Sequence, residues 1–194
     1  MSVCKKMTCL LLLLLAMFSV EDVMAQKVAV KTNVVYDATA NINAGLEFGL
    51  AKRWTLDVSG NLNVWDMSNG RKWKHWLVQP EFRWWTCERF GGHFLAAHMI
   101  GGGFDVGNLS FFPVSIWEGL KDNRYKGHTL GGGIAYGYAW MLGKHWNLEA
   151  EVGAGYVRAW YDQYKLKSNE KVLSNADKNY WGITKLAISF VYLF

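Results

Sequence analysis

From Leu186 onward every second side chain is large and apolar: Leu186, Ile188, Phe190, Tyr192 and Phe194. Lys185, Ala187 and Ser189 alternate with them, followed by Val191 and Leu193. A period of two over that length argues a β-strand whose two faces meet different environments. Two settings satisfy it, an edge strand of a soluble sheet or one strand of a membrane barrel. The rest of the chain has to choose.

The first residues read as an export signal. Lys5 and Lys6 precede an apolar run from Leu10 to Val20, and Val23-Met24-Ala25 places small or modest residues before a cut between Ala25 and Gln26. As a helix that run rises only about 16 Å, against a bilayer core of about 30 Å, so it is no membrane span. Domain organisation is then a signal peptide over 1–25 and one domain over 26–194. Cys4 and Cys9 fall before the apolar core, leaving Cys87 alone in the exported chain, so no internal disulfide holds it. The signal removes two bases and two acids, and the net charge stays at +5. That modest, dispersed excess gives no reason to expect nucleic acid. No stretch after residue 25 has the 18 consecutive apolar residues of a helical span. Yet 15% aromatic residues, 20 glycines and only 2 prolines suit an all-β chain.

Alternation picks out eight strands. Val28 to Tyr36 is the first, Ala44 to Leu50 the second and Trp54 to Val64 the third, with Gly60 on its apolar face. The fourth runs from His75 to Thr86 with Pro80 on its apolar face, where a missing donor suggests a bulge or a weak pairing. The fifth, His93 to Gly103, has two possible registers: either Phe94, Ala96, His98 and Ile100 face outward, or Leu95, Ala97 and Met99 do. The sixth is His128 to Met141, the seventh starts at Trp146, and the eighth follows a polar loop over 162–179. Connections alternate long and short, and the short turns share chemistry. Leu50-Ala51-Lys52-Arg53-Trp54-Thr55-Leu56-Asp57 matches Leu142-Gly143-Lys144-His145-Trp146-Asn147-Leu148-Glu149. An even number of antiparallel strands with short turns at one end and long loops at the other is the layout of an outer-membrane barrel, the last strand pairing with the first.

The charges choose the face. Lys31, Glu47, Asp57, Glu81, Arg83, Glu149, Glu151 and Lys185 all fall on the side opposite the bulky apolar residues. A soluble barrel with its apolar side inward would have to fit Trp76, Phe82, Trp84, Tyr136, Tyr138, Trp140, Phe190 and Phe194 into a lumen of side-chain width. Placed outward in lipid, each charge would cost about 2–4 kcal/mol at the midplane. The expectation is therefore an all-β, eight-stranded antiparallel transmembrane barrel. Its aromatics meet lipid and three bases pair with five acids inside. Trp54, Trp84, Trp146 and Phe194 are expected at one interface, Tyr36, Trp76, Trp160 and Tyr180 at the other. The ending on Phe190, Tyr192 and Phe194 resembles the last-strand signature that the barrel-assembly machinery reads, which implies that machinery and outer-membrane lipid as partners.

Chemistry is sparse. His75, His93, His98, His128 and His145 are scattered at no metal-ligand spacing, and no His is followed two positions later by Ser, the pair found in one lipid-modifying barrel family. Gly101-Gly102-Gly103 and Gly131-Gly132-Gly133 lack the strand–helix setting of a phosphate loop and read as packing glycines. No catalytic residue, cofactor or metal is expected.

The stretches Val28-Ala29-Val30-Lys31-Thr32-Asn33, Lys72-Trp73-Lys74-His75-Trp76-Leu77-Val78-Gln79-Pro80-Glu81, His145-Trp146-Asn147-Leu148-Glu149 and Asn179-Tyr180-Trp181-Gly182-Ile183-Thr184-Lys185 resemble an uncharacterised family of small exported proteins known only as a domain of unknown function. The resemblance spans nearly the whole exported chain. It implies a small outer-membrane barrel, often encoded near fimbrial or cell-surface genes. From it follows the expectation of a non-enzymatic structural, surface-binding or fimbria-associated accessory, whose loops would meet fimbrial or other surface proteins. The alternative is a lipid-modifying enzyme of the outer membrane.

Overall fold

A computed structural model describes residues 27–65, 72–108, 123–165 and 171–194. The expected signal segment lies outside them. Eight strands form: β1 (Val28–Asn33), β2 (Ile42–Ala51), β3 (Trp54–Asn63), β4 (Lys72–Trp85), β5 (Gly92–Gly107), β6 (Asn123–Met141), β7 (Trp146–Lys165) and β8 (Lys171–Leu193). Each pairs antiparallel with its neighbour in sequence, and β8 returns to β1, so one sheet closes on itself as a ring. Val30 lies opposite Tyr192 and Lys31 opposite Val191 at the closure. Closure removes the free edges that an open sheet of this length would expose.

Inside–outside alternation follows the sequence pattern around the whole ring. Leu46, Val58, Phe82, Leu95, Ile134, Val152 and Leu186 are exposed on the outer face. Their chain neighbours Glu47, Asp57, Arg83, Ala96, Ala135, Glu151 and Lys185 or Ala187 are buried within. The fifth strand takes the second of its two registers: Phe94, Ala96, His98 and Ile100 are buried inside, Leu95 and Met99 exposed outside.

Several boundaries differ from the sequence reading. β1 stops at Asn33, and Val34–Asp37 turns into a short helix, α1. Asn33 caps it, its side chain accepting from Val35 N at 3.0 Å, so an N-cap overrides the apparent alternation of Val34 and Tyr36. The long-loop end is also more regular than expected. β6 begins at Asn123, and β7 and β8 stay paired out to Tyr164 and Lys171, across most of a stretch expected to be loop. Pro80 causes no shift of register. Both flanks of β4 keep one alignment with β5, and only the pairs at Gln79 and Pro80 are missing.

A real bulge sits on β8 instead. Gly153 pairs with Lys185 but Ala154 with Ile183, so Thr184 is the extra residue. A bulge sets two successive residues against one and interrupts the alternation. Thr184 and Lys185 both turn into the ring, where Thr184 Oγ1 lies 2.9 Å from His98 Nε2.

Candidate functional site

The interior is built in layers. At the short-turn end Ala29, Phe90, Val191 and Leu193 form one apolar cluster, and Trp85, Phe94, Ala96, Ala135 and Ala139 another. Trp85 and Phe94 are fully buried with ring centroids 4.7 Å apart. They fit because β6 and β7 offer almost no side chain opposite. A Cβ at Gly137 would stand only 2.2 Å from the Phe94 ring. These rings close the interior at that end.

Above them lie all eight charged residues singled out by the alternation. None is more than 8% exposed. Arg83 is the hub: Nη1 lies 2.9 Å from Glu47 and 3.0 Å from Glu149, while Nη2 lies 3.1 Å from Asp57 and 2.9 Å from Glu151. Its Nε donates to Glu81, and its guanidinium stacks on Phe94 at 4.4 Å from the ring centroid. Lys31 pairs with Glu47, with Asp57 at 3.0 Å and with Glu149 at 3.1 Å. Lys185 pairs with Glu81 and lies 3.4 Å from Glu151. The planar five-donor fork of Arg suits this many-sided contact, which a lysine could not reproduce. Thr55 links the network to the apolar plug, donating to Glu47 and accepting from Trp85 Nε1 at 2.9 Å. Such a network is held by geometry, since each charge depends on a partner for the hydration it has lost.

A polar layer follows. Asn41, Asn61, Asn63, Gln79 and Ser189 are buried amides and a hydroxyl, with Asn63 Nδ2 donating to Asn41 Oδ1 at 2.7 Å. A cavity of about 30 Å³ beside Asp57, Ser59, Gln79 and Glu151 has room for a water or two. At the far end of the ring Arg124 bonds Asp105, Nε to Oδ1 at 2.6 Å. Burial alone would raise the Asp105 carboxyl, but the hydrogen bond and charge of Arg124, with Lys72 and Lys126, hold it below the usual carboxylate range.

On the outer face aromatics gather in two zones. Toward the short turns, Trp54 stacks on Phe82 at 4.8 Å, and Trp146 and Phe194 each meet the Tyr192 ring edge-on. Phe190 and Phe194 are exposed, and Tyr192 is half-buried between its neighbours. Toward the loops, Tyr156 packs on Trp181 and His128 stacks on Trp160. Tyr180, expected in that outer zone, faces inward, because the Thr184 bulge shifts the phase of the residues just before it on β8. Tyr36 sits on α1 rather than on a strand.

The histidines do not converge, and no three His, Cys, Asp or Glu groups come together as metal ligands among the described residues. His98 is the one that alternation alone left unplaced. It is buried at 3% exposure and reaches across the inward Gly153 of β7 to the bulge on β8. Its direction was hidden in the sequence by Ala96 and Ala97, which suit either face.

Neither a curated protein nor a solved structure matches the chain. A family model does, over residues 8–194, and the chain therefore belongs to the family described as Protein of unknown function (DUF3575).

Proposed function

We propose that this protein is a small outer-membrane β-barrel with a plugged, salt-bridged interior, serving as a non-enzymatic structural or surface-binding component through its long-loop end. The observation that carries the reading is the inversion of the ring. Its charges are paired inside, and its outer face is a continuous belt of Leu46, Val58, Phe82, Ile134, Val152, Leu186 and Ile188, all exposed. An apolar surface of that extent marks contact with lipid or protein rather than water. The two aromatic zones fit the two edges of a bilayer, where Trp and Tyr rings keep an apolar body in lipid and a polar tip wet. In that orientation the short turns face the periplasm and the loops face outward. Phe190, Tyr192 and Phe194 lie on the lipid side, available to the assembly machinery during insertion. A fimbrial or other surface protein is the partner class proposed for the loops.

All five inward acids are engaged by Lys31, Arg83 and Lys185, which speaks for a structural network over acid–base chemistry. The plug and the charge layer leave no aqueous path, so purified protein in planar bilayers is expected to give no stable conductance steps. Porin-like steps would contradict this reading. Surface cross-linking in cells with the barrel as bait tests the partner, and recovery of fimbrial subunits is the expected result.

A further inference from the structure

Between the charge layer and the loops the ring holds a second cavity, of about 250 Å³. Its lining is mostly apolar, with Leu77 of β4, Ile100 and Phe104 of β5, Val157 and Ala159 of β7 and Tyr180 of β8, joined by Thr129 of β6 and by Ile183 at the bulge. Gly131, Gly133 and Gly155 lie on the inward faces of the adjoining β6 and β7 and add no side chain to the interior there. A Cβ at Gly133 or Gly155 would stand under 3 Å from the backbone of the paired neighbour strand, so larger residues have no room there. An apolar void leaves its lining without van der Waals partners on one side, and water inside it gains few hydrogen bonds. The Thr184 hydroxyl at the inner end is already bonded to His98 and makes no polar demand on a ligand.

The cavity runs along the strands. Ile100 and Phe104 lie four residues apart on one strand, about 13 Å. Apolar walls over that length suit an extended hydrocarbon chain rather than a polar ligand. Lys178 lines the opposite end, six residues along β8 from Thr184 and nearest the loops. We propose that this slot binds a single medium-length acyl chain, its tail toward Ile100 and Thr184 and its carboxylate at the mouth beside Lys178. The inference adds a ligand to the barrel and does not depend on the barrel's setting in a membrane.

The test is methyl NMR of the full protein in phosphatidylcholine nanodiscs, titrated with decanoic acid. If the protein proves soluble without lipid, the same titration runs without discs, which separates this proposal from the membrane reading. Saturable shifts are expected at the Leu77, Ile100 and Val157 methyls, while Leu186 and Ile188 on the outer face follow only bulk partitioning. Val157→Trp fills the slot and is expected to weaken binding at least about tenfold. Should that variant misfold, Ala159→Leu serves in its place. Lys178→Gln is expected to weaken decanoate binding but leave decanol binding unchanged. Inner methyls that stay still, or shifts as large on the outer face as within, would overturn the proposal. So would equal binding by a folded slot-filling variant.

Discussion

At the scale of single residues, Arg83 holds the interior together. It alone touches all five inward acids, and Lys31 and Lys185 each reach only some of them. Arg83→Met leaves those carboxylates buried with too few partners, which costs about 3–5 kcal/mol where a buried pair is broken. Equilibrium unfolding of the refolded protein in urea should show a loss of that size, and Arg83→Lys should restore little of it because an ammonium cannot span four directions. An unchanged midpoint in Arg83→Met would mean that the network is not what holds the strands in place. The membership of this network was legible in the sequence, because a charge on the minority face of an alternating strand has only one place to go. Its wiring was not. That Arg83 is the hub follows from the shear of the ring, which sets β4 against acids on β2, β3 and β7. No single-strand pattern contains that information.

Among the elements, β8 carries the most unusual feature, the Thr184 bulge. It allows a 23-residue strand to keep Leu186, Ile188 and Phe190 outward while Tyr180 and Lys178 turn inward beyond it. Deleting Thr184 would restore strict alternation and leave its neighbours on their present faces, Trp181 and Ile183 outside and Lys185 inside. A one-residue slip inverts every side chain it displaces, but removal of the unpaired bulge residue displaces none, so this deletion should still fold, measured as a retained heat-modifiable band on unboiled gels. Thr184→Val keeps the count and should fold, losing about 1–3 kcal/mol for the buried His98 nitrogen left unpaired. A deletion variant that fails to fold would show that residues before Thr184 do not hold their faces as this pairing requires. The sequence hid this feature because Gly182, Ile183 and Thr184 suit either face. It also hid the loop-side ends of β7 and β8, where side chains such as those of residues 171–175 are exposed on both faces and so show no period. The end of β1 was masked in the opposite way, since Val34 and Tyr36 continue the alternation after Asn33 has already begun a helix.

For the whole molecule, one arrangement accounts for closure, burial and surface together. Eight strands leave an interior about as wide as side chains can fill, and here it is filled by a ring-stacked plug, an ion-pair layer and an apolar slot. The outer face then has to be the solvent-incompatible one. This much was legible in the alternation of the strands alone, because the bulky aromatics could not be packed inside a lumen of that width. The central claim is that the outer belt faces lipid. It is tested most directly by nitroxide labels placed one at a time from Ile183 to Tyr192 in reconstituted protein, read by collision with oxygen and with a water-soluble nickel complex. Oxygen contact should dominate and nickel contact vanish at Ile183, Leu186, Ile188 and Phe190. Nickel contact exceeding oxygen contact at those positions would place the belt in water and contradict the account.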